Sequence, residues 1–446
     1  MTRCGKGGVK VNERPKRDFA FAKFLVSFGT VQWSRLCPIH DKIDPVACAI
    51  NVLTEHQAAL ILKTGRKMLG VRAITKAERV AEFKKRKQRF QQIKSHPADQ
   101  GKMEAEGWTA TGRQLKDGRL IFEKSKSHDE IIENRVWAVL YQLGYDELNI
   151  GRAFKIQLTE TKSGKEVSKQ VDVFAKDNDT VVIVECKSSA TKSQRNLQKD
   201  IMEFAALQKS YVKSVSATYG REAKLKFIWL IVTRNIILSP SDLKRAVHEN
   251  IQIIGDRDLR YYEEIAKNIG RAAKYQFLAE FLEGSKVKNL EDHMVPAIRS
   301  KIGGHQAYYF LAPPERLLPI AFVNHRSLRD PAGNPTYQRL VKKARLTQIG
   351  SFLDGGGFFP NSILINFKKR VRFDIRHSYE DRQIHYGDLY LPDAYKTAWI
   401  IDGQHRLYGF TEIEGNKKPN VIAVVAFENI SRNEVVLVSG TVWRQG

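Results

Sequence analysis

Hydrophobic and polar positions follow different rhythms along this chain, and each rhythm predicts an element. Consecutive apolar residues at Val181-Val182-Ile183-Val184, and again through residues 224–233, predict strands buried on both faces. A polar Asp177-Asn178-Asp179 cluster separates the first of these from Gln170-Val171-Asp172-Val173-Phe174, so the two read as strands joined by a tight turn. Helical spacing follows Ser127: Ile131, Val136, Trp137 and Leu140 turn toward a sheet, Ser127 and Glu130 make a capping-box-like entry, and Gly144 is a stop. Further helices are predicted over 194–212, 241–249, 258–268, 272–282 and 337–352, with Gly355-Gly356-Gly357 as a flexible exit. Strands are predicted over 152–158, 362–367, 398–401 and 419–427, and residues 308–318 read as a strand entering a helix. Nearer the start, residues 47–94 read as helical, with Val80, Phe83 and Phe90 near one stripe among cations. A small strand pair is predicted at Gly107-Trp108 and Arg119-Leu120-Ile121-Phe122, and residues 1–45 read as a basic, weakly patterned mobile arm.

A length of 446 residues sets an expectation of about three domains. Lys and Arg number 74 against 49 Asp and Glu, a formal charge of +25, which points to a polyanionic partner such as DNA. Charge alone does not separate that partner from a merely basic surface. The four cysteines (Cys4, Cys37, Cys48 and Cys186) show no disulfide pattern and fit a reducing cytoplasm. Cys37, His40, Cys48 and His56 can be written as a zinc set, but their spacing matches no common finger. The apolar run at 19–28 is too short and interrupted to span a bilayer, and no clean cleavage site follows it, so no membrane association is expected.

Chemistry concentrates where the two strands around the Asp177 turn end. Side chains alternate along a strand, so Glu185 and Lys187 share one face while Cys186 takes the other. The turn folds Asp172 back toward that same face. Two carboxylates and an ammonium beside an apolar sheet suit metal-assisted phosphodiester hydrolysis. Asp172 and Glu185 would hold Mg²⁺ (or Mn²⁺), while Lys187 would position or deprotonate water or stabilise the phosphate. An E-x-K triplet on a strand edge is more often a solvated face, but four buried β-branched residues directly before Glu185 argue against that here.

An acidic helix, Asp172, Glu185-Cys186-Lys187 and a following long helix together resemble the PD-(D/E)xK nuclease core, an αβββα unit. The resemblance implies a further acid from the leading helix, matched best by Glu133 and otherwise by Glu130. Val171 stands where the family often has proline.

A second motif is Asp402-Gly403-Gln404-His405-Arg406, a strand passing through Asp-Gly into a helix. Asp402 is expected to cap that helix, Gly403 to allow close backbone approach, and Arg406 to offer a fork suited to phosphate. An ordinary capped helix with an outward Arg is the alternative from spacing alone. The motif resembles the signature of DGQHR-domain proteins, a family that includes DndB-like proteins of DNA phosphorothioation and relatives in DNA-modification and defence islands. The resemblance implies a ParB/sulfiredoxin-like fold, and ATP or another nucleotide, or DNA phosphate, held at Asp402, Gly403, Gln404, His405 and Arg406. Family members continue well beyond the strand ending near Phe427, so the domain is expected to be incomplete, with that strand left at an open sheet edge.

The expected fold class is therefore α/β (α+β). The expected divisions are a basic, helical N-terminal region (1–104), a PD-(D/E)xK nuclease-like domain (105–238), a helical linker (239–300) and the first part of a DGQHR domain (301–446). The leading functional expectation is a Mg²⁺-dependent endonuclease fused to a DNA-sensing domain. The alternatives are a non-catalytic DNA-binding regulator and a nucleotide hydrolase at the second motif. DNA, and other proteins of a DNA-modification or defence island, are the expected partners.

Overall fold

The computed structural model describes residues 75–159, 166–177, 179–220, 224–288, 290, 293–323, 341–379, 383–413, 421–431 and 434. The basic arm, the first part of the 47–94 helix and the Cys37/His40/Cys48/His56 set lie outside the described residues. Among the described residues the architecture is mixed α/β, with two small antiparallel sheets, of three and two strands, and two larger mixed sheets.

Helix α1 (Lys76–Lys87) starts at Thr75, which closes a capping box with Glu78, and ends in Lys84, Lys85, Arg86 and Lys87, where cations complement the helix dipole. The helix predicted to run on to residue 94 stops here. Gln88 turns extended, and β1 (Phe90–Ser95) pairs antiparallel with β3 (Leu120–Ser125), which also takes β2 (Thr109–Gln114) on its other side. Pairing against the buried Ile121 and Phe122 outweighs local helical preference. The short α2 (Gln100–Ala105) bridges β1 and β2. Helix α1 docks on α3 (His128–Gln142) through Phe83 against Tyr141 and Arg86 over the Trp137 ring.

Ser127 caps α3, accepting from the Glu130 N–H at 3.2 Å, and Trp137, fully buried, donates its indole N–H to the Asn149 carbonyl at 2.8 Å. After α3 come β4 (Glu147–Leu148), the separate hairpin β5 (Lys155–Thr159) and β6 (Glu166–Gln170), then β7 (Val173–Asp177) and β8 (Thr180–Gln194). Helix α4 (Gln198–Tyr219), β9 (Lys226–Ile237), α5 (Pro240–His248) and β10 (Gln252–Ile254) complete a sheet in the order β10-β9-β8-β7-β4. Strands β8, β9 and β10 are parallel, while β7 pairs antiparallel with β8. Helix α4 starts four residues later than expected, because β8 continues through its polar end to Gln194 beside β9.

Segment 239–300, expected as a helical linker, contributes to both large sheets. It holds β10, then α6 (Asp256–Ile269) and α7 (Ala273–Phe281), then β11 (Met294–Ile302). The remaining elements are β12 (His305–Ala312), α8 (Pro314–Leu317), β13 (Ala321–Phe322), α9 (Lys343–Asp354), β14 (Ile363–Phe367), β15 (Phe373–Tyr379), β16 (Ile384–Tyr390), β17 (Ala398–Asp402), α10 (Gln404–Gly409) and β18 (Ile422–Glu428). Their strands, together with β11, form an eight-stranded sheet in the order β13-β17-β14-β18-β12-β11-β16-β15. Here the sequence expectation of an open edge at β18 is corrected. That strand lies inside the sheet, parallel to β14 on one side and antiparallel to β12 on the other. A single buried cluster runs from Trp137 and Val184 through Tyr262 and Phe277 to Phe310, Ile365 and Tyr408, so α6 and α7 weld the two large sheets to one core. No helix among the described residues is long and apolar enough to cross a membrane.

Candidate functional site

The β7–β8 register pairs Val173 with Val184, which brings Asp172 to the same end of the hairpin as Glu185. Asp172 Oδ2 accepts the Cys186 N–H at 2.8 Å, so the first carboxylate is locked to the second strand. Lys187 Nζ lies 3.6 Å from Glu185 Oε2 and 3.1 Å from Asp200 Oδ1. Asp200 sits in the first turn of α4 and also faces Arg195 Nη2 at 3.5 Å.

Burial, and then the neighbouring Asp172 carboxylate, push Glu185 up to about 7. Burial also raises Asp172, against the opposing Cys186 hydrogen bond, and Glu133 adds to the rise. Burial works against the Lys187 ammonium, but Glu185, Asp200 and Asp172 outweigh it and leave its pKa above the ordinary lysine value. Lys187 is therefore charged at neutral pH. Burial pushes the Cys186 thiol well up, which keeps it protonated and unreactive. Tyr211 on α4 is raised by burial and then by Glu185 and Asp172.

Glu133 is buried on α3 and gripped by Arg152, whose Nε and Nη2 each reach a carboxylate oxygen at 2.6 Å. The fallback acid Glu130 accepts from Gln91 Nε2 on β1 and stands 3.9 Å from Arg152 Nη1. Both helix acids are thus paired, while Asp172 and Glu185 repel each other across a half-buried site. Two carboxylates with raised pKa values and one lysine carry unmatched negative charge when ionised, and that donor set suits a hard divalent ion that keeps several waters. Among the described residues no three His, Cys, Asp or Glu side chains gather as a metal cluster, so the protein's share of such a site would be Asp172 and Glu185. Arg152 and Asp200 escaped the sequence reading. An Arg in a polar stretch and an Asp in a helix's first turn carry no pattern until the fold sets them beside Glu133 and Lys187.

At the second motif, the expected cap is corrected. Gly403, with φ +87°, is the N-cap residue of the six-residue α10, and Asp402 makes no capping bond. Asp402 Oδ2 instead accepts from Arg406 Nη2 at 2.9 Å. Arg406 Nη1 donates to the Asn361 and Ser362 carbonyls at 2.9 and 2.8 Å, tying the entry of β14 to the helix. Gln404 is buried, and His405 is lowered by burial and then by Arg345. Deeper in, the Gln276 amide of α7 accepts from the Tyr408 hydroxyl and the Val323 N–H and donates to the Val323 carbonyl, which anchors α10 to the shared core. A Cβ on Gly403 would meet Ile363 Cγ2 at 2.6 Å, on a backbone that favours glycine. Gly403→Ala is expected to cost about 1–3 kcal/mol, read as a lower urea midpoint at unchanged slope.

The C-terminal sheet is the part of the chain that is similar to a known family. Residues 295–435 match the model of the DndB family, described as DNA-sulfur modification-associated. The match spans the second large sheet from β11 to β18 and includes the Asp402–Arg406 turn. No curated protein matches the chain. Among solved structures, protein VC1899 from Vibrio cholerae is 17% identical, with 46% of this chain and 50% of that chain covered and a TM-score of 0.24. Can2 from Sulfobacillus thermosulfidooxidans, in complex with cyclic tetra-adenylate, is 16% identical, with 48% and 55% covered and a TM-score of 0.23. The aligned region spans about half the length of each of these proteins.

Proposed function

We propose that this chain acts on DNA within a DNA-modification or defence system, as a divalent-metal-dependent endonuclease joined to a DndB-like domain. One observation carries the reading: Asp172, Glu185 and Lys187 converge at the end of the β7–β8 hairpin, with Glu185 pushed up to about 7. Asp172 and Glu185 would hold Mg²⁺ or Mn²⁺, which when bound supplies Lewis-acid activation of water and phosphate. Lys187 keeps its proton, so its role is to stabilise charge on the phosphate rather than to take a proton from water. Asp200 holds that ammonium beside the carboxylates, and Arg152 keeps Glu133 from adding a further unmatched charge. The test is incubation of plasmid and phosphorothioate-modified DNA with the protein and Mg²⁺ or Mn²⁺, beside Asp172→Ala and Glu185→Ala. Cutting that persists in either variant would end the reading.

A second reading is a DNA-binding regulator without catalysis. It is favoured by the ion pairs that already engage Glu133 and Lys187. A nucleotide hydrolase at Asp402–Arg406 is less favoured, because Arg406 spends its donors on Asn361, Ser362 and Asp402. Both DNA readings require a cationic track. Lys84, Lys85 and Lys87 make no ion pair among the described residues, whereas Arg86 is buried on Glu82, Asn134 and the Gly151 carbonyl. Removing the whole helix would therefore damage the core. Replacing Lys84, Lys85 and Lys87 by Ala is expected to weaken DNA binding and reduce the log–log salt slope by about 2–3. An unchanged slope would make these cations only a solvated face.

A further inference from the structure

Between β1 and the first half of α3 lies a cleft of about 450 Å³. Phe90, Ile93, Trp108 and Ile121 give it apolar walls, and the buried Arg86, Glu130 and Asn134 line it with polar groups. Lys85 and Lys94, exposed and without an ion pair among the described residues, also border it. So does Gln88, whose amide has no hydrogen-bond partner among the described residues. Arg152 lines the cleft with one side and holds Glu133 with the other, and both Arg152 and Glu133 act on the charge of Asp172. Arg152 and its partner Glu133 therefore link the cleft to the carboxylate site.

That combination matches one ligand chemistry. An aromatic wall offers a stacking face, an amide reads donors and acceptors on a planar ring edge, and lysines at the border attract phosphate. The volume lies in the range of small-ligand sites. We propose that the cleft takes a single unstacked nucleobase of a nucleic-acid strand whose backbone lies at Asp172 and Glu185. The proposal rests on reading that site as a phosphodiesterase. Trp108 stacks on the base, Gln88 reads its edge, and Lys85 and Lys94 hold the flanking phosphates. Extrusion is easiest from mismatched, modified or single-stranded positions, so the pocket favours DNA already weakened at that base.

The test uses the full chain and the four deoxynucleoside 5′-monophosphates in isothermal titration, with Trp108→Leu and Gln88→Ala. At least one nucleotide is expected to bind below about 1 mM, and Trp108→Leu to weaken it about tenfold or more. Gln88→Ala should change the ranking among the four bases. The proposal is overturned if no nucleotide binds, or if a Trp108→Leu protein with native circular dichroism binds as tightly as the original. Should that variant misfold, Gln88→Ala on the exposed end of α1 decides, and an unchanged ranking overturns the proposal. Nucleotide binding sensitive to Trp108, with no cleavage of any DNA, would remove the phosphodiesterase reading and leave the pocket standing. Cleavage with native-like binding in both pocket variants would do the reverse.

Discussion

Glu185→Gln is expected to abolish metal-dependent cleavage and, in EDTA at pH 8, to make the protein more stable. The two effects share one cause. Burial and Asp172 raise Glu185 from the ordinary 4.5 to about 7, so the folded carboxyl keeps its proton over a pH range where the unfolded one has lost it. Between about 4.5 and 7 the native state binds more protons than the unfolded state, and stability falls as pH rises through that window. Above it the full penalty stands, on the order of 3 kcal/mol from the difference between the two pKa values. Glutamine keeps the shape and removes the charge. Its stability should therefore decline less from pH 5 to 8 than the native protein's. Mg²⁺ needs the ionised carboxylate, so its binding should tighten over the same range and restore stability to the native protein but not to Glu185→Gln. Identical midpoints for the two proteins from pH 5 to 8 would show that Glu185 is not held in a charge-starved site.

Elements whose burial is two-sided or strongly helical were legible in the chain. Val181–Val184, the face containing Trp137, and the strand before Asp402 all appear where their apolar runs lie. Where one face meets solvent, the reading failed. Strand β11 turns Met294, Pro296 and Ile298 outward, so its apolar and polar positions do not alternate as a half-buried strand's should. Strand β1 carries a helix-like composition and becomes a strand only because β3 is there to pair with it. The position of β18 inside the sheet depends on β12 and β14, contributed by segments roughly 60 to 110 residues away, which no local pattern reports. Candidate residues divide in the same way. Asp172, Glu185 and Lys187 follow from strand alternation and one turn. The partners that decide their charge state, Arg152 and Asp200, come from a loop and from another helix and needed the fold to become visible.

Arg406→Ala is expected to loosen the C-terminal turn before it says anything about a phosphate ligand. The side chain is only 19% exposed, and it satisfies two backbone carbonyls and Asp402 at once. Its removal leaves the Asn361 carbonyl to water and the partly shielded Ser362 carbonyl less well satisfied, at a cost of about 1–2 kcal/mol. Asp402→Asn is the informative control. It removes only the ion pair, whose carboxylate is half-exposed, and should cost less than about 1 kcal/mol. Lysine at 406 cannot span both carbonyls and the carboxylate with a single ammonium, so it should rescue only part of the loss. A phosphate arriving at this turn would have to compete with three existing acceptors for one guanidinium. The expected result is a lowered urea midpoint for Arg406→Ala, a near-native one for Asp402→Asn, and no Arg406-dependent thermal shift with ATP or inorganic phosphate. A stable Arg406→Ala protein that has lost tight ATP binding would reverse the assignment, making the fork a ligand group instead of the tie between β14 and α10.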